Sequence, residues 1–552
     1  MILALSVMLI TSLLLVAGYA ATTGDIKLSH IATLQKQAYY AALAGVQEFE
    51  YQMQANPDYW EKCESPTSLV PEESNAHYEV TILAASTAPS GVHACSTSNP
   101  FKSVIQSSGA EANTFRVESV GTAGKIESTK CAPSICSKRA IVATFRVTGF
   151  LNFVYFTNHE IEDPELYAAS KTCSEPKKWY PETSSCEIIQ FATGDVVKGP
   201  MHTNDAVCVG GSATFGREGH SPLDVVEFYR GLNASCHGTA KYNTSTGSYI
   251  KGESLEPPES DQSLETYVLE ENEFIGVTHL VLNGTTNKIE VTNAKFHGGT
   301  PTPIPWPSNG LIWIRGTSGE EAEEVGSCNY KFEPHSADNL EEHNGETYCG
   351  DVYVSGTYSQ SLTIGSDDNV IIDGSIYPTS VASSLGSEPS GSETLGLIAN
   401  NYVRIYHPVK ETYAGTGTGG KTCKGHDQYN STLGECEYTN NATEGCDAPN
   451  ENASEDPNKV GSLISPWIYA AILSTQHSFA VDNFNCGAKL ENLNVYGAIA
   501  QNYRGIVGTS GNTGYIKNYN YDDRIAVDEP PYFLSPLKAG WKIARETAPT
   551  GG

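Results

Sequence analysis

Asp367, Asp368 and Asp373 flank the apolar run Val370-Ile371-Ile372. Carboxylates at adjacent turns suit a hard cation such as Ca²⁺, which takes about six to eight oxygen ligands. The same residues are candidates for the acid/base pair of a polysaccharide-cleaving enzyme; their plainer reading is solvated turn residues. A second polar cluster, His202-Thr203-Asn204-Asp205, sits beside a predicted turn. Its candidate ligand residues are His202, Asn204 and Asp205. The competing reading has Asn204 and Asp205 capping backbone donors while His202 packs at a corner. Asp522 and Asp523 repeat the acidic signal more weakly. Gly415 to Thr422 spells the phosphate-loop pattern, with Lys421 and Thr422 in the ligand positions. Its context fails, because a polar stretch from Cys423 to Asp427 stands where a helix should begin.

The chain has 14 cysteines, all beyond its apolar N-terminus. Their spacing is irregular and no CxxC occurs, which favours disulfides in an oxidising compartment over a metal centre. Sequence neighbours are the candidate pairs: Cys131 with Cys136, Cys173 with Cys186, Cys208 with Cys236, and Cys328 with Cys349. Other connectivities stay open.

These residues need elements to carry them. At 552 residues the chain is too long for one compact core. Its net charge of −30 excludes nucleic acid as a partner. Gly-rich, Tyr-rich and Met-poor composition points to a turn-rich, mainly β protein. The first charges are Asp25 and Lys27, and no Pro appears before Pro57. Residues 1–54 are therefore expected to form one helix, apolar all round at first and amphipathic after Ile31. The alternative, a signal peptide cut after Ala20, lacks a basic leading region and leaves the amphipathic half unexplained.

An apolar helix running without a break into QKQAYYAALAGVQEFEYQM resembles the N-terminus of PilX-type minor pilins, over about a tenth of the chain. The glutamate that most pilins carry early in this helix is absent here. The resemblance implies a membrane span before assembly, packing with other pilin-like subunits afterwards, and a small head domain on the amphipathic half.

Period-two alternation at His77–Ile82, Phe115–Val120 and Ala140–Phe156 predicts a small β or α+β domain over 74–160. From 190 to 535 short apolar runs recur between Gly, Asn, Asp and Ser corners, as in a parallel β-helix. The cysteine-bearing stretch 408–465 is expected as a surface excursion. Four stretches (Gly199–Asp205, Asp373–Ile376, Leu397–Val403 and Pro530–Leu534) are similar to an uncharacterised group of bacterial surface proteins that join a PilX-like helix to a β-solenoid. The expected function is a surface structural or adhesive protein, a minor pilin or pilus tip component, with a surface or glycan ligand. An exported β-helix carbohydrate-active enzyme is the alternative.

Overall fold

The computed structural model describes residues 2–56, 59–64, 67–69, 75–85, 95–97, 103–104, 114–124, 131, 136–147, 149–164, 188–221, 223–252, 254–318, 328, 349–407, 463–484, 489–509, 513–526, 528–536 and 541–547, with six short strands between 410 and 447. The fold is mainly β. The chain divides into two compact units, one of Met1–Ser107, Glu111–Thr148 and Ala539–Gly552, the other of Gly149–Lys538 with Ser108–Ala110.

The first unit is built on the helix Ile2–Ala55. Leu34, Ala38, Ala42, Val46, Phe49 and Met53 are buried at steps of three and four, which is one helical face. Pro57, just beyond its end, cannot continue it. The buried face lies on an antiparallel sheet of Thr67–Leu69, Ala76–Leu83, Thr114–Gly124, Cys136–Val147 and Trp541–Thr547, paired in that order. Small residues set the approach. A Cβ at Gly121 would stand 2.0 Å from the Ala38 carbonyl oxygen and 2.3 Å from the Ala42 nitrogen. Phe49, Phe115 and Phe145 fill the space beyond, their ring centroids 5.3–6.0 Å apart.

The second unit is a stack of short strands paired in parallel. Among the described strands of its sheet, the only antiparallel pairs join Thr278–Asn283, Lys288–Asn293 and Thr302–Pro305 at one end. One ladder runs from Glu273–Ile275 through Leu311–Arg315, Leu362–Ser366, Leu395–Ala399, Trp467–Ser474 and Lys489–Tyr503. It then continues onto Tyr155–His159, Met201–Thr203 and Val226–Phe228. A parallel ladder likewise joins Gly514–Tyr521 to Val196–Lys198, Ser212–Phe215 and Thr239–Tyr242. The chain thus enters the stack in its middle and coils out to Tyr242. It returns along the outside and coils in again from the far end until its last strands meet its first. Strands as short as Val403–Ile405 are buried along their whole length and hold only by stacking. The apolar side chains Val403 and Ile405 each contribute about 1.5–3 kcal/mol on burial.

This arrangement moves two expected boundaries. The small unit ends at Thr148, short of 160, because Tyr155–His159 pairs inside the stack. It also takes its edge strand, Trp541–Thr547, from beyond 535. Within 408–465 the described strands form three separate two-stranded antiparallel pairs.

Disulfides join Cys131 to Cys136, Cys208 to Cys236 and Cys328 to Cys349, as the spacing suggested. Cys63–Cys95 is a further pair. Cys173 and Cys186 lie outside the described residues. Among the described cysteine side chains none is free. Such bonds mark a chain that matures outside the reducing cytoplasm, as an exported protein.

Candidate functional site

One corner of the stack is lined by amides. Asn204 Nδ2 donates to Asn158 Oδ1 at 2.9 Å, Asn158 Nδ2 to Asn502 Oδ1 at 2.8 Å, and Asn502 Nδ2 to the Gln476 carbonyl at 2.8 Å. Gln476 Nε2 donates in turn to Asn400 Oδ1 at 3.2 Å. Strands stacked in register bring equivalent corners one above another, so each amide meets the next.

The returning segment 254–272 runs over this corner as a strap. Leu255 N donates to Asn204 Oδ1 at 2.9 Å, and Gln476 Nε2 reaches the Glu259 carbonyl at 3.2 Å. Leu264 is 1% exposed and sits against Gly365, where a Cβ would come within 2.7 Å of it. Asn309 Nδ2 holds the Tyr267 carbonyl at 2.9 Å. From Met201–Thr203 to Leu311–Arg315 the strap crosses six strand spacings. At about 4.8 Å each these span about 29 Å, within reach of the residues from Leu255 to Tyr267 at about 3.3 Å apiece.

His202, Asn204 and Asp205 all lie under one end of the strap, each at most 2% exposed. His202 packs against the Phe153 and Phe156 rings. Its Nδ1 meets Glu227 Oε2 at 3.0 Å and its Nε2 meets Asn204 Oδ1 at 3.1 Å. Asp205 accepts from the backbone N–H of Ala206 at 2.8 Å and of Glu160 at 3.2 Å. All three residues are engaged in holding the corner and its strap.

Asp367 and Asp368 lie farther along the same corner. Asp368 Oδ1 accepts from Asn401 Nδ2 at 2.7 Å and from Asn369 Nδ2 at 3.1 Å. Asn369 Nδ2 also donates to Asp351 Oδ1 at 2.8 Å. Burial, with Asp351 next, raises the Asp368 carboxyl well above the ordinary range. Asp367 is only partly buried, and its Oδ2 takes the Gly316 N–H at 2.8 Å. Desolvation pushes it up to about 7, against the pull of the Gly316 N–H and Arg315. Asp373 belongs elsewhere, on the strand Val370–Pro378, where Ser355 and His279 are the groups that act on it.

A residue the sequence did not single out completes this region. Asp261, on the strap, is 0% exposed, and neither carboxylate oxygen has a hydrogen-bond partner. Burial first, and then the charge of Asp367, raises its carboxyl well above the ordinary range. In sequence it is one of three carboxylates in the Pro-bearing run EPPESDQ, which reads as a loop.

Three ligand-type atoms also cluster at Cys328, Cys349 and Asp368. The two sulfurs form a disulfide and offer no thiolate to a metal. Asp522 and Asp523 are taken up by Arg524 at 2.7 Å and Arg217 at 2.5 Å. The phosphate-loop-like letters fall on an antiparallel hairpin that pairs Gly415 with Lys421. It is not the strand-to-helix turn that cradles phosphate.

No family model, no curated protein and no solved structure matches the chain.

Proposed function

We propose that the chain is a cell-surface structural or adhesive protein, a minor pilin or pilus-associated component, whose parallel β-stack is a solenoid displayed outside the cell. The observation that carries this reading is the first half of the N-terminal helix. Leu3, Leu5, Val7, Met8, Leu9, Ile10, Leu13, Leu14, Leu15 and Val16 are all exposed, Leu3 at 81%. A continuous apolar surface of this kind needs a lipid or protein environment. Its hydroxyls suit one: Ser6, Thr11 and Ser12 each donate to a carbonyl one turn back, at 2.9 Å. These three hydroxyl donors are thus met within the helix itself. Among the described side chains no helix is long and apolar enough to cross a membrane. The disulfides and the acidic composition support an extracellular place for the rest of the chain.

The test is fractionation of the producing cell. The full chain is expected in the membrane fraction and in sheared surface filaments, together with pilin-like subunits. A chain recovered free of both lipid and filament overturns the reading.

A further inference from the structure

We propose that residues 256–263 of the strap form a pH-operated latch, closed over the amide corner while Asp261 carries a proton and lifted when it ionises. Asp261 stands at the N-cap of the 3₁₀ turn Gln262–Thr266, where an aspartate ordinarily turns its side chain to the first free N–H groups. It makes no such bond. Ser260 Oγ takes the Gln262 N–H instead, at 3.1 Å. The Asp261 side chain is wholly buried, and among the described residues no donor meets either of its oxygens.

In such a place a carboxylate ion with neither a donor nor a cation is costly, and a neutral carboxyl much less so. The charged groups around it give no relief. Asp367 acts on Asp261, and Asp261 acts on Asp368. Glu259 and Glu265 of the strap are exposed acids. Arg315, which pulls on Asp367, is paired through its Nε with Glu273. The docked strap therefore favours the protonated form, and burial raises that carboxyl well above its ordinary range.

The stretch is lightly held. Between Leu255 and Leu264 only Pro258 and Asp261 are fully buried. Pro257 and Pro258 have no N–H to give. Gln476 Nε2 fastens the stretch at the Glu259 carbonyl, 3.2 Å away at the surface. Leu255, Leu264 and Tyr267 anchor the strap on either side of it. A raised carboxyl makes closure an acid-side state. Closure is fully stable below about pH 3.9, the ordinary aspartate value. Above that it weakens by up to about tenfold per pH unit, until the docked carboxyl itself ionises. Lifting then frees the Gln476 end of the amide row.

The experiment follows cleavage after Glu259 by a glutamate-specific protease in the full chain, held in detergent. Each rate is divided by that of a free peptide of residues 254–272 with the same residue at 261, so that opening of the latch is what is read. For the wild type this ratio is expected to rise at least tenfold between pH 5.0 and 7.5. In Asp261→Asn and Asp261→Leu, which have no proton to lose there, it is expected to change by less than threefold. A smaller rise in the wild type overturns the proposal, and that arm needs no variant. A larger rise in either folded variant also overturns it, since another group would then be titrating. If one variant does not fold, the other decides.

Discussion

Arg504 Nη1 donates to Glu160 Oε2 at 2.8 Å between two side chains that are each 1% exposed, although the residues lie 344 positions apart in the chain. The pair sits where the last coils meet the first. Arg504 also reaches the Ile189 carbonyl at 3.0 Å and covers the Phe191 ring at 3.7 Å. Lys198 to Asn518 and Lys517 to Asp195 join the same seam at 2.8 and 3.3 Å.

Removing one partner leaves the other charge buried and unpaired. Glu160→Gln is expected to destabilise the large unit by about 3–5 kcal/mol. The double change Glu160→Met with Arg504→Met is expected to cost less than either single one. Urea unfolding followed by tryptophan fluorescence checks both. A loss below about 1 kcal/mol in Glu160→Gln would mean that the seam does not depend on the pair.

Gly121 is where the sheet of the small unit touches its helix. Gly121→Val places methyl groups in the Ala38 and Ala42 backbone. The expected cost is about 3 kcal/mol, at the upper end for overpacking. Proteolysis should then cut between residues 30 and 55 at least tenfold faster, with the coils of the large unit as resistant as before. Unchanged cleavage would show that the sheet can shift to make room.

His407 gives a signed dependence on pH. It is 0% exposed, its Nδ1 donates to the Asp482 carbonyl at 2.9 Å, and its Nε2 is buried without a partner. The Asp482 carboxylate is paired with Arg404 at 2.7 Å, Asn483 Nδ2 donates to the His407 carbonyl at 2.9 Å, and the Tyr515 ring lies edge-on. Burial outweighs the Asp482 contributions and lowers the imidazole below its ordinary 6.5. As pH falls through 6.5 the unfolded chain takes up the proton first, so stability declines toward acid. The slope approaches about 1.4 kcal/mol per pH unit until the folded pKa is reached. The difference between wild type and His407→Gln in urea midpoints at pH 7.5 and 5.0 isolates this group. The wild type should lose more than the variant on acidification, and an equal loss would contradict the assignment.

Much of this architecture is legible in local pattern. Alternation at His77–Ile82 and Phe115–Val120 marks strands because one face of each meets a core. Cys208 and Cys236 are near neighbours in sequence and in space. What escapes the sequence depends on non-local pairing. Nothing in Tyr155–His159 says that its neighbour is Lys489–Tyr503, since a parallel strand carries no mark of its partner's place in the chain. Asp261 was hidden for the same reason. A carboxylate in a proline-bearing run looks solvated until the strap is seen to press it into the stack.

The meeting of last coil and first has a consequence for birth as well as for stability. A chain delivered outward from its N-terminus presents Tyr155–His159 and Val196–Lys198 early, each with the ladder to Lys489–Tyr503 or Gly514–Tyr521 still unfilled. Those bare edges must wait through more than three hundred residues of delivery, and open strand edges are adhesive toward any chain nearby. Completion is therefore a closing event rather than a steady winding, and only a full-length product can perform it. A prematurely terminated copy is left with an unsealed joint, a structural flag that separates finished molecules from broken ones before either reaches its post.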